Sequence, residues 1–215
     1  MTPVLRLHGL GAVVEVRCAG RAALTLKAAL RQAWSRCLVG EDCAADGERG
    51  PVAPKVFEAS LDDEEYLPRA LMTTTQVVTR SLIRAQAGRL LMLHAGAVSH
   101  PATGASLVYV APGGTGKTTL SRLLGRRFGY LTDETVGVDE AGAILPYPKP
   151  LSLRRPDAVG LKDEVSPDDL GLLPAPPAAH VERMVVLVRD AVRGSADMEE
   201  LSVMDAVFAD SDLRL

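Results

Sequence analysis

The chain has 215 residues and a formal net charge of −3 at pH 7, from 24 basic and 27 acidic side chains. That length suits one domain, or one with a small appendage. With 47% apolar and 24% charged residues, the composition excludes a disordered chain, and the acidic balance argues against a dedicated nucleic-acid binder.

No apolar run approaches the roughly 20 residues of a membrane span. Residues 1–10 include Arg6 and His8 and lack the apolar stretch of a secretory signal. The expectation is a soluble, cytoplasmic protein with no membrane or nucleic-acid partner. Cys18, Cys37 and Cys43 form no Cys-x-x-Cys pair and read as small buried hydrophobes. The chain has no asparagine, which removes glycosylation sequons and any Asn-dependent guanine-reading motif.

In chain order, residues 12–18 alternate apolar and polar and predict a strand. Leu26, Leu30, Ala33, Trp34 and Cys37 recur at helical spacing, predicting an amphipathic helix over 22–38 with Trp34 in the core. Residues 40–54 are polar and carry Gly and Pro, so they read as a loop. A short strand at 56–60 precedes the acidic run 62–65, which reads as a helix entry because acids favour the first turn. Leu67, Leu71, Val78, Leu82 and Ala85 form a second helical stripe, closed by Gly88. Residues 1–89 thus form a small N-terminal α+β unit.

The second unit spans 90–215. Residues 90–98 are strand-like, interrupted by His94 and Gly96, and 101–104 make a turn. A strand over 107–110 runs into Ala111-Pro-Gly-Gly-Thr-Gly-Lys-Thr118. Leu120, Leu123 and Leu124 mark the expected buried face of a helix ending near Gly129. A strand at 130–132, in which Tyr130 packs, delivers Asp133 and Glu134. Residues 136–139 and 143–145 predict a hairpin, 154–177 a Pro-, Gly- and Asp-rich surface loop, and 181–188 a last strand. Ser202 and Asp205 resemble a capping box for a helix over 201–208.

A strand, a glycine-rich turn, Lys-Thr and a leucine-patterned helix are the context of a P-loop. Glycines let successive backbone N–H groups converge on phosphate, and the helix N-terminus adds partial positive charge. Gly113, Gly114, Thr115, Gly116, Lys117, Thr118 and Thr119 are the candidate ATP-binding residues. Lys117 is placed to reach the β/γ-phosphates, and the Thr118 hydroxyl to complete a Mg²⁺ shell. The first consensus glycine is Ala111, at a position that starts the turn without touching phosphate. Tyr130-Leu-Thr-Asp133 is a poor Walker B strand, but Asp133 lies only 16 residues after Lys117. A single helix between them would return the chain on an adjacent strand with Asp133 beside the loop.

Three stretches carry a resemblance: His94-Ala-Gly-Ala-Val98, Val108-Tyr-Val-Ala-Pro-Gly-Gly-Thr-Gly-Lys-Thr-Thr119 and Gly129-Tyr-Leu-Thr-Asp-Glu134. Together they resemble the core of the HPr kinase/phosphorylase superfamily. More closely, they are similar to the small HPr-kinase-like proteins of lasso-peptide-type modification clusters. The likeness covers 90–155 and is weaker to Val188. It implies a mixed, twisted sheet around the P-loop, shared with phosphoenolpyruvate carboxykinase, rather than a standard parallel one. It also implies that His94 approaches the γ-phosphate and that Asp133 is general base for a serine hydroxyl. Two positions depart from the pattern. The family's Asp-Asp pair is Asp133-Glu134 here, and Ser152 stands where the family has a metal-binding Glu. Metal binding then rests on Thr118, Asp133 and Glu134, and reverse phosphorylase chemistry is not expected.

The bland readings stay open beside these. Asp133 is general base or only a metal ligand; Glu134 is a metal ligand or a solvated neighbour; His94 is a phosphate contact or a satisfied core residue. Lys149, Arg154 and Arg155 follow a proline-stiffened loop and contact phosphate or an acidic substrate, or form a solvated face. The leading expectation is a Mg²⁺-ATP-dependent kinase acting on a hydroxyl of a peptide, protein or small metabolite, with self-association left open. The competing one is an ATP-binding, non-catalytic module that organises a peptide-modification complex. Carboxykinase chemistry ranks third, for want of a separate His/Lys/Asp metal cluster. Relative to the family it resembles, the chain reads as a short member or a shortened one.

Overall fold

The computed structural model describes residues 2–39, 55–189, 197 and 199–201. Cys43, the loop expected at 40–54 and, beyond Leu201, the helix expected over 201–208 lie outside them. The architecture is mixed α/β, with three α-helices and four small sheets among the described residues.

The N-terminal sheet starts with β1 (Val4–Gly9), a strand that the sequence reading left unassigned, paired antiparallel to β2 (Ala12–Ala19). Leu10 and Gly11 turn the chain with φ of 52° and 71°, the left-handed pair that a two-residue hairpin needs. A leucine tolerates this because its side chain is buried and its carbonyl accepts Gln86 Nε2 at 2.8 Å. β3 (Lys55–Ser60) adds parallel to β2. The first helix is shorter than its stripe implied. α1 (Ala23–Ala33) stops before a separate 3-10 turn at Ser35–Cys37. That break lets Arg36 reach Asp168 Oδ1 at 2.8 Å and the carbonyls of Leu172 and Leu173, tying the unit to the downstream chain. α2 (Leu67–Ala85) follows a 3-10 turn capped by Asp63, which accepts from the Glu65 amide at 3.0 Å. Leu7, Val16, Cys18, Leu26, Leu30, Trp34, Cys37, Val78 and Leu82 fill this core.

His94 splits the apolar run 90–98 between two sheets. β4 (Leu91–Leu93) joins β8 (Val136–Val138) and β9 (Ile144–Leu145) in the expected hairpin sheet, whereas β5 (Ala95–Ser99) joins the main sheet. There β5 lies between β6 (Ala105–Val110) and β7 (Gly129–Thr132), antiparallel to both. β6 and β7 are therefore parallel to each other but not neighbours, which corrects the expected adjacency. β12 (His180–Val186) pairs parallel with β6 on the far edge, so the sheet is mixed.

Two further expectations fail on burial. α3 (Lys117–Leu124) ends five residues earlier than placed, and it buries Lys117 and Ser121 rather than its leucines; Leu123 is 64% exposed. Ser121 is drawn inward because its hydroxyl bonds the buried Tyr109 hydroxyl from β6. The segment 154–177 is not all surface loop. β10 (Leu151–Arg154) and β11 (Lys162–Val165) form an antiparallel pair, and Glu164, Ser166 and Leu172 are buried.

Gly96 faces Tyr109 across the β5–β6 pair, and a Cβ there would lie 2.2 Å from Tyr109 Cε2. Gly96→Ala must push Tyr109 off Ser121, and overpacking of this kind costs about 1–3 kcal/mol. The expected result is a lower urea midpoint at unchanged slope; an unchanged midpoint would show that Tyr109 can shift freely.

Candidate functional site

The glycine loop links β6 to α3. Gly114 and Gly116 have φ of 84° and 119°, left-handed values at which a side chain is strained. A Cβ at Gly113 or Gly116 would meet open space, and one at Gly114 would lie 3.4 Å from the Arg154 guanidinium. Gly116 is the N-cap of α3. The loop thus presents bare backbone at a helix N-terminus, where free amides and the helix dipole favour an anion. Lys117 folds back, its Nζ donating to the carbonyls of Ala111 and Pro112. Burial lowers its pKa, against the pull of Asp133 and Glu134. Thr115 Oγ1 donates to the Pro112 carbonyl at 2.9 Å, and Thr119 is exposed on the first turn.

Asp133 is the hub. It is 4% exposed at the end of β7, and its two oxygens face different ways. Oδ2 accepts Thr118 Oγ1 at 2.8 Å, from the glycine-loop side. Oδ1 lies 3.0 Å from Lys149 Nζ and 3.3 Å from the Tyr130 hydroxyl, on the core side. Lys149 Nζ is also 3.1 Å from Glu134 Oε2. Burial works against the lysine charge, but Asp133, Glu134 and Glu164 outweigh it and raise its pKa. The same ammonium lowers the Glu134 pKa, with burial opposing. His94 stands at the bend between β4 and β5. Its pKa falls through burial first and Lys117 next, opposed by Glu134 and Asp133, so the imidazole is neutral near pH 7.

The three cations grouped by sequence separate in space. Lys149 is 1% exposed and joins Asp133 and Glu134; Arg154 stands against the loop at Gly114; Arg155 faces Asp157 and Asp163 at 3.7 and 3.6 Å. Sequence reasoning missed Glu164. It sits directly across from Ser152 in the β10–β11 pair, and the Ser152 hydroxyl lies 2.9 and 3.1 Å from its two oxygens. One acid among several in a Pro-, Gly- and Asp-rich tract gave no signal; only the strand register places it. The Tyr130 hydroxyl was also missed, because a tyrosine in an apolar strand reads as packing.

Thr118, Asp133 and Glu134 offer oxygen donors of the kind a hard divalent cation takes. Among the described residues no group of three or more His, Cys, Asp or Glu is arranged to hold a metal alone. That donor set fits Mg²⁺, which is usually held by one or two carboxylates together with substrate phosphates. No model of a known protein family matches the chain, and no curated protein does. No helix among the described residues is long and apolar enough to cross a membrane.

Glu164 yields a pH prediction. Burial pushes its pKa up to about 7 from an ordinary 4.5, partly offset by Lys149 and the Ser152 hydroxyl. The folded state keeps this proton after the unfolded chain has lost it, so its contribution to stability is full below pH 4.5 and is lost as pH rises towards 7. Relative to wild type, Glu164→Gln should therefore gain about 3 kcal/mol across that window. Urea denaturation at several pH values checks this; a wild-type-minus-variant difference independent of pH would refute the assignment.

Proposed function

We propose that the chain is an ATP-dependent phosphotransferase that moves the γ-phosphoryl group to a hydroxyl. On this reading the core is a P-loop unit of the HPr kinase type. The observation that carries it is the 2.8 Å hydrogen bond from Thr118 Oγ1 to Asp133 Oδ2, which sets a carboxylate beside a bare glycine loop. Motif and carboxylate come from separate strands with β5 between them, so they meet at the ends of strands that are not neighbours.

The chain's residues divide the work. The amides of Gly113–Gly116 and the α3 N-terminus hold the phosphates, and Lys117, released from the Ala111 and Pro112 carbonyls, places its charge on the β/γ oxygens. Arg154, already against Gly114, neutralises charge on the transferred group. Neutral His94 can donate one hydrogen bond without adding charge. Thr118, Asp133 and Glu134 would hold Mg²⁺, which would supply neutralisation of phosphate charge when bound. Asp133 orients the acceptor hydroxyl. As the acceptor oxygen bonds to the γ-phosphorus and the bond to the β–γ bridging oxygen breaks, the hydroxyl proton passes to the Asp133 carboxylate and ADP leaves. The acceptor is a Ser-type hydroxyl on a peptide, protein or small molecule.

Two variants test this. Asp133→Asn should lower transfer at least about a hundredfold, the usual scale of a lost base, with ATP affinity within a few fold of wild type. Lys117→Met should lose nucleotide affinity itself. Incubation with Mg²⁺-ATP and candidate acceptors, read by mass for added phosphate, reports transfer, and calorimetry reports affinity. Unchanged transfer by Asp133→Asn would remove the base assignment. Tight nucleotide binding by wild type with no phosphorylated product would favour a non-catalytic module that organises partners.

A further inference from the structure

We propose that Lys149 is a built-in cation that holds the Asp133–Glu134 carboxylate pair from the core side and limits its outer side to one divalent metal ion. The inference rests on the phosphotransferase reading and deepens it. Lys149 acts through the two carboxylates, so it is a positioning residue.

Geometry first excludes a direct role for Lys149 at the phosphates. An ammonium has three N–H donors. Those of Lys149 meet three acceptors: Asp133 Oδ1 at 3.0 Å, Glu134 Oε2 at 3.1 Å and the Pro150 carbonyl at 2.9 Å. With 1% exposure and every donor used, it has nothing left to offer a nucleotide.

The lysine is also held in place. Pro148 and Pro150 flank it, and its own amide donates to the Tyr147 carbonyl at 2.8 Å, closing a tight turn. Tyr147 is anchored in turn, its ring 6.1 Å from that of Trp34 and its hydroxyl 2.8 Å from Thr79 Oγ1. A side chain fixed this way does not swing out when ligand arrives. The ammonium stays as a structural counter-charge.

Charge then sets the metal count. Asp133 and Glu134 bring two negative charges to adjacent residues, and Lys149 cancels one on the inner side. One net negative charge remains, on the side where Asp133 Oδ2 meets Thr118 and where the Glu134 side chain is 43% exposed. That suffices for one divalent cation shared with phosphates. A second cation would need the inner oxygens, and Lys149 holds them.

The test uses three chains: wild type, Lys149→Met, and Lys149→Met combined with Glu134→Gln. Mn²⁺ is titrated with a non-hydrolysable ATP analogue and followed by electron paramagnetic resonance. Wild type should take one Mn²⁺ per chain. Lys149→Met should take a second, or bind Mn²⁺ about tenfold more tightly because one positive charge is gone. It should also transfer phosphate poorly while its metal-free nucleotide affinity stays within a few fold. A merely structural lysine would not tighten metal binding. Without nucleotide, Lys149→Met should melt about 10 °C lower, since the buried Asp133 and the half-buried Glu134 lose their counter-charge. Removing one of those charges in the double variant should recover part of that loss. The double variant also answers if Lys149→Met alone fails to fold: recovery of the fold supports the counter-charge, and no recovery overturns it. Wild-type metal stoichiometry and affinity in Lys149→Met would overturn the proposal while leaving phosphoryl transfer standing. A wild-type chain that takes up no nucleotide would instead overturn the phosphotransferase reading, and the metal count with it.

Discussion

The ion pair between Asp133 and Lys149, 3.0 Å apart and almost wholly buried, is the constraint on which the rest of the site depends. Taking two charges out of water costs more than their attraction returns unless their other hydrogen-bonding positions are filled. Here they are filled from every side. Thr118 and Tyr130 serve the carboxylate, and Glu134 and the Pro150 carbonyl serve the ammonium. Each of these groups is therefore held to a position by the pair. Thr118 fixes the start of α3, and Lys149 fixes the proline turn leading into β10. The N-terminal unit buttresses that turn, because Tyr147 packs on Trp34 and bonds Thr79 of α2.

The glycine loop is built on the opposite principle. Its backbone is bare, Gly114 and Gly116 sit at left-handed φ, and its lysine satisfies itself on the loop's own carbonyls. Such a loop is shaped by what holds its two ends. One end is β6, whose Tyr109 is clamped between Gly96 of β5 and Ser121 of α3. The other is the first turn of α3, tethered through Thr118 to Asp133. A rigid carboxylate wall thus faces an adaptable amide cradle.

Much of this was legible in the sequence wherever a pattern had one physical cause. Alternation marked β2, and the apolar stripe marked α2. The glycine spacing placed the loop, and its distance from Asp133 anticipated that the two would meet. The failures share another cause, polar groups buried because a partner awaits them. Leucine spacing on α3 pointed to the wrong face, since Ser121 is held inward by Tyr109 and Leu123 is left outside. Lys149 read as a phosphate or substrate contact, or a solvated cation, because sequence shows its charge but not the carboxylates that fold over it. Glu164 gave no sign at all. Its burial depends on a cross-strand register with Ser152, in a tract whose composition reads as loop. The β6–β5–β7 order was equally out of reach, because a single helix between two strands suggests neighbours and cannot reveal a third strand between them.

On the phosphotransferase reading, the two walls of the site carry opposite charge. A triphosphate brought to the loop would meet backbone amides, Lys117 and Arg154 on one wall and Asp133 with Glu134 on the other. Without compensation the second wall would repel a triphosphate. Lys149 offsets that repulsion from the core side, with its ammonium donors already engaged by Asp133, Glu134 and the Pro150 carbonyl. On the phosphotransferase reading, the charge left on the open side would attract one hard cation and take a proton from a hydroxyl. On that reading a fully neutralised wall would do neither, and an uncompensated one would repel the nucleotide. The buried lysine is what sets the wall between these two limits.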